Sequence, residues 1–364
     1  MNEFIYLDWS ATAPLCDAAQ KAIMEHLDDF GNPSSAHELG RQARVLIEDA
    51  RERIAKCINA EPEEIYFTSG GSEANTWALN GYMSVSSAFE HHSVKARLQN
   101  AWIDNDGFVK TQFFNCINHS LAGYFDMETC MHVNNEIGTQ QPIKDIAKIA
   151  HSKNMSFHTD AIQSIGHLSI DVKDLGCDML SASAHKFGGM KGAGFLYVKN
   201  GVEIRPMING GHQEFAKRGG TENVLGIIAM AAALDDAVEH MEERNAYIRR
   251  LRDAMLEKLL QIPGSHLNGS LKNRVCSNIN IRFDGISGAK LVTLCSLYGI
   301  YISAGSACNS GISTPSHVLK AIGLTDEEAL SSIRITIGHT NTEQEIEQAA
   351  EIITKLVERI RDED

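Results

Sequence analysis

Apolar residues along this chain recur in two rhythms that alternate. Over residues 36–57, Leu39, Ala43, Leu46, Ile47 and Ile54 keep helical spacing, which predicts an amphipathic helix. The apolar run Ile65-Tyr66-Phe67 then leads into Thr68-Ser69-Gly70-Gly71-Ser72-Glu73, the order of a strand, a glycine turn and a helix start. The same alternation predicts a strand over 131–134, a helix over 143–151, and strands over 155–158, 179–182 and 194–198. Strands separated by helices imply βαβ units, hence a mostly parallel sheet covered on both faces.

A continuous helical pattern follows over 222–260 and stops at Pro263-Gly264. Beyond it, 277–283 alternates in the strand manner, 288–297 reads as a helix, and 300–303 and 333–337 read as strands. Thr342 with Glu345 three positions on is a capping box. It opens a last helix whose Ile346, Ala349, Ala350, Ile353, Val357 and Ile360 form one stripe. The expected architecture is α/β: a mostly parallel mixed sheet in a large domain over 14–250, and a smaller α+β domain built from 1–13 plus 251–364.

Charge narrows the function classes. Lys+Arg 33 against Asp+Glu 47 leaves a net charge of −14, the wrong sign for a protein that meets nucleic acid or an anionic membrane through its overall field. The apolar stretch 224–234 is too short to cross a bilayer, and the first residues, MNEFIYLDW, lack a basic region followed by an apolar run. The expectation is a cytoplasmic protein without direct contact to nucleic acid or membrane. None of the eight cysteines forms a C-x-x-C pair or sits at zinc-ribbon spacing, so no metal site is expected and most read as small buried apolar residues.

Lys186 follows the apolar run 179–182 in Ser183-Ala184-His185-Lys186. A lone lysine is most simply a solvated surface residue, yet a partly desolvated lysine at a strand end can form a Schiff base. Asp160 ends the preceding strand, and two such strand ends can converge on one crevice. Lysine on the aldehyde and carboxylate on the pyridine nitrogen is what pyridoxal phosphate requires. Ser69-Gly70-Gly71-Ser72, between a strand and a helix, can offer backbone N–H groups to a phosphate. His91 and His92 could stack on a ring or move protons, or be surface residues, and Asn134-Asn135-Glu136 could contact a ligand or form a turn.

Taken together and in order, IYLDWSATAP, GNPSSAH, TSGGSEAN, EHHSV, MHVNNEIGTQQPI, HTDAIQS, SASAHK, KRGGTENV, SAGSACNSG and IRITIGHTNT cover the chain from residue 5 to about 342. This set resembles the cysteine desulfurases of the nitrogen-fixation and iron–sulfur-assembly type, in the class V aminotransferase group of fold-type I pyridoxal phosphate enzymes. The resemblance implies that the large domain binds the cofactor and that the small domain carries a catalytic cysteine loop.

The resemblance also assigns roles residue by residue. It makes Lys186 the Schiff-base lysine, Asp160 the partner of the pyridine nitrogen, and His91 the ring-stacking histidine with acid–base capacity. Gly71, Ser72, Ser183, His185 and Thr221 become the phosphate cradle, with Thr221 supplied by a neighbouring subunit and the protein therefore a homodimer. Asn135 and Gln163 contact ring substituents and substrate. Arg334 clamps the substrate carboxylate, with Asn32 assisting. Cys308, in the small and polar 303–311 segment, is the catalytic cysteine. It would take sulfur from L-cysteine as a persulfide, release L-alanine, and pass the sulfur to an iron–sulfur scaffold or a thiolation factor. A selenocysteine lyase, another class V reaction and a non-catalytic sulfur-transfer scaffold are the competing readings. Trp9, Gly188, Met190 and His212 depart from the family pattern.

Overall fold

The structure, a computed structural model, describes residues 4–94, 98–101, 104–108, 125–304 and 314–363. Cys308 lies outside the described residues, as does Cys116. The strands are β1 (Ile5–Tyr6), β2 (Ile65–Thr68), β3 (Ser84–Ser87), β4 (Leu98–Ala101), β5 (Met127–Thr129), β6 (Ser156–Asp160), β7 (Met179–Ser183), β8 (Gly194–Val198), β9 (Ser265–Leu267), β10 (Asn278–Phe283), β11 (Ile300–Tyr301) and β12 (Ser332–Thr336).

Seven strands form one sheet in the order β2-β8-β7-β6-β5-β3-β4. The β7, β6, β5, β3 and β4 strands pair in parallel, while β8 runs antiparallel to both β7 and β2. The fold is thus α/β with a mixed, mostly parallel sheet. Its core is sealed by the helix Val224–Glu239, whose run of small residues Ala229, Ala231 and Ala233 is buried against the helices Asp17–Glu25 and Glu38–Cys57. Short side chains let the helix axes approach closely. A three-stranded antiparallel sheet, β12-β10-β9, and the β1–β11 pair form a second core with the helices Met241–Leu260 and Glu343–Glu363. All six residues of the expected terminal stripe are buried, five of them in this core. The expected capping box is present too: the Glu345 N–H donates to Thr342 Oγ1 at 3.2 Å, and the Thr342 N–H donates to Glu345 Oε2 at 2.9 Å.

Two expectations are corrected. The stretch 131–134 is not a strand; the strand is β5, and Val133 makes only an isolated bridge to Gln140. Asn134 turns the chain there, its Oδ1 accepting the N–H groups of Glu136 and Ile137 at 2.8 and 3.0 Å. The helical run over 222–260 is two helices, Val224–Glu239 and Met241–Leu260, broken at His240.

Candidate active site

The sheet register sets up the site. Thr68 on β2 pairs with Gly194 on β8, which pairs with Ser183 on β7, so the turn after β2 and the turn after β7 emerge side by side. Asp160 ends the neighbouring β6, paired with Ser181. These are the carboxyl ends of strands, the edge at which open α/β sheets bind ligands. A cleft at this edge is lined by Gly71, Ser72, His91, Asn135, Asp160, Gln163, Ser183, His185, Lys186 and Arg334. Ten expected site residues, from six separated segments, therefore meet in one place.

Lys186 sits in a tight turn, Ala184–Lys186, directly after β7. Its Nζ donates to the carbonyls of Ser10 and Ala11 at 2.7 and 2.8 Å. Those carbonyls hold the amine at the cleft wall. Asp160 is buried, and burial pushes its carboxyl up, opposed by hydrogen bonds from the Ile162 N–H at 3.0 Å and from Asn75 Nδ2 at 2.7 Å, and by the nearby His91 and Lys186. A carboxylate so enclosed gains strongly from a cationic partner. His91 is pushed the other way: burial lowers it, Asp160 partly offsets that, and His92, Lys186 and His317 add to the lowering. His91 is therefore a neutral imidazole near pH 7. His185, held down to about 4 by burial and by Lys186 and Lys191, is neutral too, with Nδ1 3.1 Å from Thr12 Oγ1.

The helix Gly71–Ala78 points its N-terminus into the cleft, with no side-chain cap on its first turn. Uncapped N–H groups and the helix dipole favour an anion there. Gly71 packs against Ile162, whose Cδ1 a Cβ would approach to 2.1 Å, so a larger residue there would displace that side chain. On the opposite wall Arg334, on β12, is nearly fully buried. It donates through Nη2 to Asp8 Oδ1 at 2.7 Å and through Nη1 to the Asn135 carbonyl at 3.0 Å. Its Nε is buried with no partner among the described residues.

Two expected residues are elsewhere in the single chain. Asn32 is exposed, its Oδ1 accepting the Ser34 N–H at 2.9 Å, and does not line the cleft beside Arg334. Thr221 is exposed between the Gly219-Gly220 turn and the helix Val224–Glu239, also outside the cleft. The segment carrying it is tied back to the helix Gly71–Ala78 by a paired contact, Arg218 Nε to Glu73 Oε1 at 2.9 Å and Nη2 to Oε2 at 3.2 Å.

His92 and Glu136, each left open from sequence between a ligand role and a surface or turn role, line the cleft, together with His317, which was not singled out. Glu136 is buried and accepts the Ser316 hydroxyl at 2.5 Å; His92 and His317 lie with ring centroids 4.7 Å apart. Asp8, Asn75 and Ser93 act one step behind the wall. Asp8, Asn75 and Ser93 belong to the matched segments, so position within a motif was the available signal; His317 had none.

The donor set fits pyridoxal phosphate: an amine at a strand end, a buried carboxylate across from it, and an uncapped helix start with Ser72, Ser183 and His185 around it. Fold and site together define a fold-type I enzyme of the pyridoxal phosphate class. The family model for "Aminotransferase class-V" matches residues 5–349, and the chain belongs to that pyridoxal-phosphate-dependent family. A cysteine desulfurase IscS of Methanosarcina thermophila is 40% identical, with 99% of this chain and 93% of that relative covered. A solved NifS-like protein from Rickettsia africae superposes with a TM-score of 0.89 at 31% identity over 98% of this chain and 99% of that one. A solved SspA in complex with cysteine superposes at 0.80, with 34% identity over 93% of this chain and all of that one. Among the described residues no helix is long and apolar enough to cross a membrane.

Proposed function

We propose that the protein is an L-cysteine desulfurase that transfers the substrate sulfur to Cys308. The observation that carries this is the convergence of Lys186, Asp160 and Arg334 on one cleft in a chain that matches cysteine desulfurases along its whole length. Pyridoxal phosphate, when bound, supplies an electron-withdrawing ring that acidifies the α-carbon of an amino acid. Lys186 provides the amine that holds the cofactor aldehyde and is set to move the α-proton. Asp160 keeps the ring nitrogen charged. Gly71, Ser72, Ser183 and His185 offer donors to the phosphate. His91, neutral, would stack on the ring. Asn135 and Gln163 orient ring substituents and substrate. Arg334, held by Asp8, takes the substrate carboxylate through a planar guanidinium fork.

Cys308 completes the chemistry. Its thiolate attacks the substrate sulfur, an S–S bond forms as the C–S bond breaks, and the carbon skeleton takes a proton and leaves as L-alanine. L-cysteine and the Cys308 thiol become L-alanine and a Cys308 persulfide, which balances without an external oxidant. The six described cysteines support the choice, because burial raises the thiols of Cys16, Cys57, Cys130, Cys177, Cys276 and Cys295. A raised thiol is a poor source of thiolate at neutral pH. The sulfur then passes to a protein acceptor, an iron–sulfur scaffold or a thiolation factor, in the cytoplasm.

The working unit is a homodimer in which Thr221 reaches the partner's phosphate site. Support comes from the exposure of Thr221 and from the apolar residues Met24, Leu27 and Phe30, which are 70%, 55% and 84% exposed. The division into 14–250 and 1–13 plus 251–364 is part of the same reading, supported by the pairing of Ile5 with Ile300. The test is stoichiometric release of alanine from L-cysteine by the cofactor-loaded protein, with sulfide freed when a thiol is added. A yellow protein that yields no alanine from L-cysteine overturns the reading.

A further inference from the structure

We propose that Asn75 is a positioning residue which, through Ser93, fixes the ring tautomer that His91 presents to the cleft. The inference rests on the desulfurase reading of that cleft. Asn75 lies on the helix Gly71–Ala78 and is fully buried. Its Nδ2 donates to Asp160 Oδ2 at 2.7 Å and to Ser93 Oγ at 2.9 Å. A primary amide nitrogen carries two hydrogens, so both are used. An ionised carboxylate only accepts, so Asp160 dictates which end of the amide faces it.

The consequence passes along the chain of contacts. Asn75 occupies one lone pair of the Ser93 oxygen and holds the hydroxyl beside His91 Nδ1, 2.7 Å away, with its hydrogen available to that nitrogen. The Ser93 N–H points at the same nitrogen at 3.1 Å. Two donors converge on Nδ1, so Nδ1 carries the lone pair and the proton of neutral His91 sits on Nε2. Asn75 Oδ1 is buried without a partner among the described residues, a cost that a residue present only for packing would not carry. The charged and titratable groups around His91 are Asp160, which favours its protonation, and His92, Lys186 and His317, which oppose it. The Ser93 hydroxyl adds to the opposition because it bonds the unprotonated nitrogen.

The test uses cofactor-loaded protein with 15N-labelled histidine, the His91 signals being assigned by their loss in His91→Gln. Wild type is expected to show Nε2–H only. In Asn75→Ala the Ser93 hydroxyl is free to turn and accept from the ring, so His91 should titrate about half a pH unit or more higher. Ser93→Ala should raise it as well, and Ser93→Thr, which keeps the hydroxyl, should restore it. Turnover should fall about tenfold in Asn75→Ala and in Ser93→Ala, with KM for L-cysteine within about twofold, and the double variant should be no worse than either, since both act through one relay. Folded Ser93→Ala or Asn75→Ala protein with unmoved His91 signals, or single effects that multiply in the double variant, overturns the proposal. Should Asn75→Ala fail to fold, the Ser93→Ala and Ser93→Thr pair decides alone. The ring signals are read without turnover, so a wild type that releases no alanine refutes the desulfurase reading and leaves this relay to be judged by the spectra.

Discussion

Asp8 and Arg334 form an ion pair at 2.7 Å although they stand 326 positions apart, one just after the first strand and the other in the middle of the last. The pair aims the guanidinium at the cleft and compensates a charge that is almost wholly buried. A lysine in its place offers a point charge without the fork, so Arg334→Lys is expected to raise KM for L-cysteine on the order of tenfold while changing kcat less. Steady-state alanine production over a range of L-cysteine concentrations reads the two constants separately. An unchanged KM would remove Arg334 from carboxylate recognition.

Lys186→Ala should abolish both the yellow colour of the bound cofactor and turnover. The described cleft contains no second lysine, and the Ser10 and Ala11 carbonyls that hold the amine have nothing to replace it with. Absorbance spectra of the purified variant after incubation with pyridoxal phosphate check this. Colour and activity at the wild-type level would show that another lysine carries the cofactor.

What the chain discloses before folding depends on how local the cause is. The stripe from Ile346 to Ile360 and the Thr342–Glu345 cap are set within a few residues of each other, and both stand in the structure as expected. Lys186 and Asp160 were legible because each closes a short apolar run. The strand β5 was not, since it is three residues long and carries Glu128 in its middle, a buried carboxylate that breaks the apolar pattern. The break at His240 has neither glycine nor proline to announce it. Asp8 and Asn75 stayed invisible as a clamp and a relay because their partners are 326 and 85 positions away.

Glu90 gives the fold a pH dependence. It is fully buried, and burial pushes its carboxyl up to about 8, even though the Ser87 hydroxyl and the Met131 N–H, the latter at 2.9 Å, bond its Oε1. Its folded value lies above its unfolded one, so the folded state holds a proton that the unfolded chain has already released. The stability this group contributes is complete in acid and is lost as pH rises towards 8. His132 and His158, held down to about 4 and about 3 by burial, tilt the balance the opposite way below about pH 6.5, so the comparison belongs above pH 7. Glu90→Gln resembles the protonated carboxyl and should gain about 1 kcal/mol on wild type between pH 7 and 8.5. Urea unfolding at both pH values measures it; parallel curves for the two proteins would contradict the assignment.

Sedimentation equilibrium should give twice the mass of one chain at assay concentration, and Phe30→Glu should shift the population towards single chains while lowering activity. Phe30 is 84% exposed in the single chain, and a charge placed in a shared apolar face costs several-fold in association. A fully active single chain would remove Thr221 from the cofactor site.

Cys308 separates cofactor chemistry from sulfur chemistry. Binding of the cofactor and of L-cysteine draws on Lys186, Asp160 and Arg334, none of which needs the cysteine. Cys308→Ser should therefore fold, stay yellow and change its spectrum when L-cysteine is added. It should release less than about one-hundredth of the wild-type alanine, because a serine hydroxyl attacks sulfur poorly and cannot store it. Cys57, Cys177 and Cys295, whose thiols are pushed up to about 12, should tolerate replacement by serine or alanine without loss of turnover, whatever burial makes the change cost in stability. Each variant is incubated with L-cysteine in the absence of reductant, alanine is quantified, and the added sulfur mass is located on peptides. Sulfur found on a cysteine other than Cys308, or near-normal alanine from Cys308→Ser, would move the nucleophile elsewhere in the chain. Selenocysteine turnover that survives in Cys308→Ser would instead favour a lyase, since selenium can leave without a thiolate to receive it.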